Sequence, residues 1–172
     1  MHSIFHIARS LSTICLFVFC FSTLSQAQQY SITRNGGQLI FTDAIGSSGT
    51  LTIRQNGANI RFDAEGGMYS LNGSAVLPLP AELPLKGIAS IVVNMGDGDD
   101  VVTVGAFSTP LSSLMINGGR GDDAVHFTGD IVFARDVSLS MDLQDDDPVP
   151  GLDHVEFLAD ATVRLAGSGT AT

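Results

Sequence analysis

Two acidic, glycine-rich segments hold the residues best suited to chemistry. Gly96-Asp97-Gly98-Asp99-Asp100 and Gly118-Gly119-Arg120-Gly121-Asp122-Asp123 each place paired carboxylates behind spaced glycines. Carboxylate and carbonyl oxygens are hard donors, and Ca²⁺ takes about six to eight of them at roughly 2.3–2.6 Å. Glycines let a tight turn bring its carbonyls toward one point. Cation binding is the chemistry this composition offers. The alternative is a pair of polar turns that hold no ion. Arg120-Gly121-Asp122 also spells an adhesion tripeptide, but its arginine has no counterpart in the upstream segment, and the turn accounts for all three residues.

The two segments belong to an internal repeat, which is what must position them. SIVVNMGDGDDVVTV (90–104) aligns without gaps on SLMINGGRGDDAVHF (113–127), an offset of 23 residues. Asn94/Asn117, Gly96/Gly119, Gly98/Gly121, Asp99/Asp122, Asp100/Asp123 and Val102/Val125 are identical pairs. A third, degenerate copy continues the alternation with Val137, Leu139 and Met141. Its turn is widened by an insertion containing Asp145-Asp146-Asp147-Pro148-Val149-Pro150-Gly151, after which DHVEFLADATV (153–163) matches DAVHFTGDIVF (123–133) at an offset of 30.

One coil per repeat predicts a short parallel β-helix (solenoid) of about three coils, with like strands stacked ~4.8 Å apart. Inward columns such as Ile91–Leu114–Val137 and Val102–Val125–Val155 follow, and Asn94 over Asn117 can form an amide ladder. An antiparallel β-sandwich is the competing architecture. In the stacked arrangement Asp99 lies over Asp122 and Asp100 over Asp123. Like charges ~5 Å apart repel by roughly 1 kcal/mol in water and more in a dry turn, and a cation reverses that sign.

Residues 118–126 fit the pattern G-G-x-G-x-D-x-U-x, with U a large apolar residue, and residues 95–103 fit it at all but the first position. This resembles the hemolysin-type (RTX) calcium-binding repeat. The resemblance implies that Asp100 and Asp123 are the carboxylate ligands. It also implies that carbonyls of the Gly96–Asp99 and Gly118–Asp122 turns complete the site. The chain departs from the family in its 23-residue spacing, longer than two nonapeptides. Arg120 also stacks over Asp97, where it can form a salt bridge in place of a metal contact.

The rest of the chain sets the context. The apolar run Leu11–Leu24, followed by Ser25-Gln26-Ala27, reads as a signal peptide over residues 1–27 with cleavage before Gln28. Both cysteines, Cys15 and Cys20, fall within it, so an exported chain has no disulfide to stabilise it. All 18 acidic residues lie beyond residue 27, and the net charge is −10, a surface that repels nucleic acid.

Residues 28–87 read as an antiparallel N-terminal cap. The first hairpin turns at Asn35-Gly36-Gly37 and the second at Asn56-Gly57. A proline-rich connection over 77–87 then excludes a central strand. Residues 88–172 hold the repeats. His126 and His154 fall at non-equivalent strand positions with no cysteine or histidine cluster in the sequence, so no zinc motif is visible.

These readings together predict a secreted, all-β, calcium-binding module of bacterial adhesin type with a structural role and no enzymatic activity. Its partners would be calcium and an extracellular polymer, a cell surface or further solenoid chains. The alternatives are a carbohydrate-active β-helix lyase or hydrolase, or a degenerate relative that binds nothing. With no tryptophan and two tyrosines, stacking platforms for sugars are scarce.

Overall fold

Alternation of apolar and polar side chains decides the architecture. A computed structural model of the chain describes residues 29–142, 151–158 and 161–165. The signal peptide expected over 1–27, the acids Asp145, Asp146 and Asp147, and the tail from 166 onward lie outside the described residues. The described chain is all-β, with no helix.

The N-terminal strands are β1 (Gln29–Asn35), β2 (Gln38–Asp43), β3 (Thr50–Asn56), β4 (Asn59–Asp63), β5 (Met68–Leu71), β6 (Leu77–Pro78) and β7 (Ala81–Pro84). The repeat region supplies β8 (Ser90–Asp97), β9 (Val101–Val104), β10 (Phe107–Arg120), β11 (Ala124–Phe127), β12 (Ile131–Asp142), β13 (His154–Phe157) and β14 (Val163–Leu165).

Two mixed, open sheets result. One has the order β14-β12-β10-β8-β2-β1-β5-β6, the other β13-β11-β9-β3-β4-β7. From β8 onward the chain alternates between them, one strand in each. Leu114 pairs with Ile91 on one side and Val137 on the other, and Val125 pairs with Val102 and Val155. All of these strands are parallel to their neighbours, at the register the repeat offsets give.

The parallel stack also takes in strands from the N-terminal segment. β2 pairs parallel with β8, setting Leu39 beside Ile91, and β3 pairs parallel with β9, setting Leu51 beside Val102. The described residues of segments 28–87 and 88–172 therefore share both sheets.

Every second side chain along β2 and β9 is buried, as are Leu51 and Ile53 of β3 and Ile91, Val93 and Met95 of β8. Buried residues from both sheets form one cluster that runs from Tyr30 and Phe41 to Phe133 and Val137. Each large apolar side chain buried this way stabilises the fold by ~1.5–3 kcal/mol. On the outer face Asn117 Nδ2 donates to Asn94 Oδ1 at 2.6 Å, the amide ladder the repeat predicts. The proline-rich segment contributes only β6 and β7, each at the edge of its sheet, where a missing N–H costs nothing.

The two hairpins form one residue later than their asparagines suggest. Asn35 pairs with Gln38, leaving Gly36-Gly37 as the loop, and Asn56 pairs with Asn59, leaving Gly57-Ala58. Only the first loop residue has positive φ, 58° at Gly36 and 59° at Gly57, the pattern of a type II′ turn. Glycine is demanded there, and asparagine serves as the last strand residue.

Candidate cation site at the stacked turns

The segments joining β8 to β9 and β10 to β11 lie over one another at one end of the sheets. Glycine is what lets them approach. Gly119 and Gly121 have φ of 115° and 124°, and Gly96 and Gly98 in the preceding turn have 96° and 113°. A Cβ on Gly119 would overlap the carbonyl of Gly96, and one on Gly121 would come within 2.5 Å of the Gly98 carbonyl oxygen. Gly151 stands in the same relation to Gly121, so the turn after the insertion returns to the stack at that residue.

The aspartates form two hydrogen-bonded ladders of opposite sense. In the inner ladder a carboxylate reaches back to the preceding turn. Asp153 Oδ1 accepts from the Asp123 amide at 2.9 Å, Asp123 Oδ1 from the Asp100 amide at 2.9 Å, and Asp100 Oδ1 from the Gly49 amide at 2.7 Å. In the outer ladder the acceptor belongs to the preceding turn. The Leu152 amide donates to Asp122 Oδ1 at 2.8 Å, the Asp122 amide to Asp99 Oδ1 at 3.0 Å, and the Asp99 amide to Ser48 Oγ at 2.9 Å.

The ladders differ in solvation. Asp99 and Asp122 are exposed, whereas Asp100 and Asp123 are each only 1% exposed. A buried carboxylate has more acceptor capacity than one amide can satisfy. The second oxygens, Asp100 Oδ2 and Asp123 Oδ2, are buried and have no hydrogen-bond partner. Asp123 Oδ2 lies where a Cβ of Gly118 would sit, which explains the glycine there.

Burial pushes the Asp100 carboxyl up to about 7. The Gly49 amide opposes this, and the charges of Asp123, Asp43 and Asp99 add to it. Burial likewise pushes Asp123 up to about 6, against the Asp100 amide and with help from Asp153, Asp99 and Asp122. Two stacked, poorly solvated carboxyls therefore require a proton or a cation.

Of the remaining expected residues, Asp97 is exposed at the end of β8, and Arg120 is half-buried in register beside it. The donors have the hardness calcium prefers. Stacked positions ~4.8 Å apart are separated by about twice a Ca–O distance. The leftover oxygens therefore match such an ion in donor type.

Three participants were not visible in the sequence. Gly49 supplies the amide that ends the inner ladder, although its turn lacks the acidic motif. Asp43, mostly buried, accepts from the Ile45 and Gly46 amides at 2.8 and 3.3 Å, and its charge reaches Asp100. Tyr30 is buried nearby, and its hydroxyl is pushed upward, first by burial and then by the charges of Asp43 and Asp100. The only advance signal for these was position: Tyr30 and Asp43 lie on β1 and β2, and Gly49 immediately precedes β3, all strands with apolar alternation.

The histidines correct an expectation. His126 and His154 are non-equivalent in register, yet their ring centroids are 5.6 Å apart. His126 pairs with Glu156, two residues beyond His154 on β13, so all three side chains share the outer face. No family model matches the chain, and no curated protein or solved structure matches it.

Proposed function

We propose that the chain is a short parallel β-solenoid with a structural, adhesion-type role outside the cell, its stacked turns braced by Ca²⁺ as in hemolysin-type repeats. The parallel register in both sheets supports the solenoid, and β2 with β3 provides a rung ahead of the repeats. One observation carries the calcium reading: Asp100 Oδ2 and Asp123 Oδ2, at equivalent positions of neighbouring turns, are buried without a hydrogen-bond donor.

Asp100 and Asp123 would hold the ion, and bound Ca²⁺ supplies the positive charge the stack lacks. The protein's own contribution is to orient the carboxylates. One oxygen of each is fixed by an amide of the preceding turn, which leaves the other available. The glycines keep side chains out of the space between turns. Calcium then stabilises the folded form by binding it in preference to the unfolded chain. A scaffold with no disulfide has particular use for such a brace. The role proposed is mechanical and non-enzymatic, and it suits partners such as surface polymers or further solenoid chains.

The test is a thermal melt of the purified protein in EDTA and again in millimolar CaCl₂. Calcium should raise the melting temperature of the parent protein and of Asp63→Ala, whose carboxylate is ion-paired with Arg61 away from the stack. Asp100→Asn combined with Asp123→Asn should show no calcium response. An identical response in all three proteins would place the ion elsewhere, and none in the parent would refute the brace.

A further inference from the structure

We infer a second, chemically distinct metal site, formed by His126, His154 and Glu156 on the outer face of the six-stranded sheet and selective for zinc-class divalent ions. One ligand atom from each of the three lies within 4.8 Å of the others. His126 is on β11; His154 and Glu156 are on β13, the edge strand.

Register explains the cluster. His126 faces Glu156 directly across the parallel pair, and His154 is its diagonal neighbour on the same face. The residue opposite His154 is Ala124, whose methyl group leaves room for an imidazole to extend toward His126.

The donor set points to the metal. Two imidazoles and a carboxylate suit zinc, which binds nitrogen at about 2.0–2.1 Å and often keeps a fourth position for water. Calcium prefers oxygen alone. Ligands around a tetrahedral zinc lie roughly 3.4 Å apart, as bond lengths of about 2 Å require. His126 Nε2 and Glu156 Oε2 are 3.8 Å apart, too far for a hydrogen bond and close to that spacing. The two side chains are 24% and 54% exposed, so a metal can reach them and small rotamer shifts can close the remaining gap. Bound there, the ion would tie the edge strand to β11.

Titration of ZnCl₂ into the untagged, EDTA-dialysed protein tests this, with a chromophoric chelator as competitor. One equivalent of zinc should bind. His126→Ala and His154→Ala should each weaken it more than tenfold, since even outer partners of ligating histidines cost about 10–100-fold. Asp63→Ala, whose carboxylate is ion-paired with Arg61 on another strand, should leave the affinity unchanged. Failure of the parent to bind, or undiminished affinity in either histidine variant, overturns the assignment. Should a histidine variant melt early in EDTA, Glu156→Gln, an exposed change, decides in its place: weakened binding upholds the trio, and unchanged binding rejects it.

Discussion

The glycine of a hairpin and the glycine of a stacked turn look alike in the sequence and do different work. At Gly57 the backbone needs φ of 59°, and a Cβ added there would meet nothing within 4 Å. At Gly121 the backbone needs φ of 124°, and an added Cβ would also strike the Gly98 carbonyl and the Asp99 carboxylate. The first requirement is local and belongs to one turn. The second is imposed by the neighbouring turn and recurs wherever a turn is stacked. The hairpin half of the molecule is therefore specified by short-range conformation, and the repeat half by close approach between distant segments.

Substitution at these two glycines separates the halves most sharply. Gly121→Ala should destabilise the fold by about 2–5 kcal/mol, combining roughly 1–2 kcal/mol of left-handed strain with about 1–3 kcal/mol of overlap. Chemical denaturation would measure it, and a loss below that of Gly57→Ala would break the comparison. Calcium should come next. At a hundred times its dissociation constant it adds ~2.7 kcal/mol. Hydrogen exchange should slow at the amides of Val101, Ala124 and His154, which bond between turns, and remain unchanged in the β3–β4 hairpin.

Acidity sharpens the same contrast. In EDTA, Asp100 and Asp123 titrate at about 7 and about 6 when folded, against ~3.9 for an unperturbed aspartate. The folded chain thus holds protons that the unfolded chain has already released. Their contribution is complete below about pH 4 and is lost as pH rises through 6 and 7. Melting temperature in EDTA should fall over that window, and calcium should flatten the decline. A rise in EDTA would contradict the burial of these carboxyls.

Gly57→Ala should cost only the left-handed strain, about 1–2 kcal/mol, with no change in calcium response. Asn117→Ala should be smallest, about 0.5–1.5 kcal/mol for the one hydrogen bond of the Asn94–Asn117 amide ladder. Equilibrium unfolding would resolve both.

What the sequence revealed follows the same division. The columns Ile91–Leu114–Val137 and Val102–Val125–Val155 were legible because apolar residues recur at an offset of 23, or of 30 across the insertion, and parallel register preserves such offsets. The extension of those columns to Leu39 and Leu51 was not. The turn before β3 reads Gly46-Ser47-Ser48-Gly49 and lacks the aspartate pair, so nothing in it resembles the later turns. The paired aspartates were found, but their unequal burial was not, because it depends on which carboxylate turns toward the core. The offset of 30 already set His126 against Glu156, but the cluster was missed because His154 meets His126 on the diagonal and not at an equivalent position.

The two aspartate ladders have a consequence for how such a chain can change in length. Both aspartate turns offer the next turn the same set of groups: an amide for the inner carboxylate and a carboxylate for the outer amide. No bond in either ladder depends on how many turns precede it. A gene segment encoding one 23-residue unit could therefore be duplicated or lost, and the remaining turns would still find their partners. Length becomes a heritable variable that recombination can adjust without redesigning the protein.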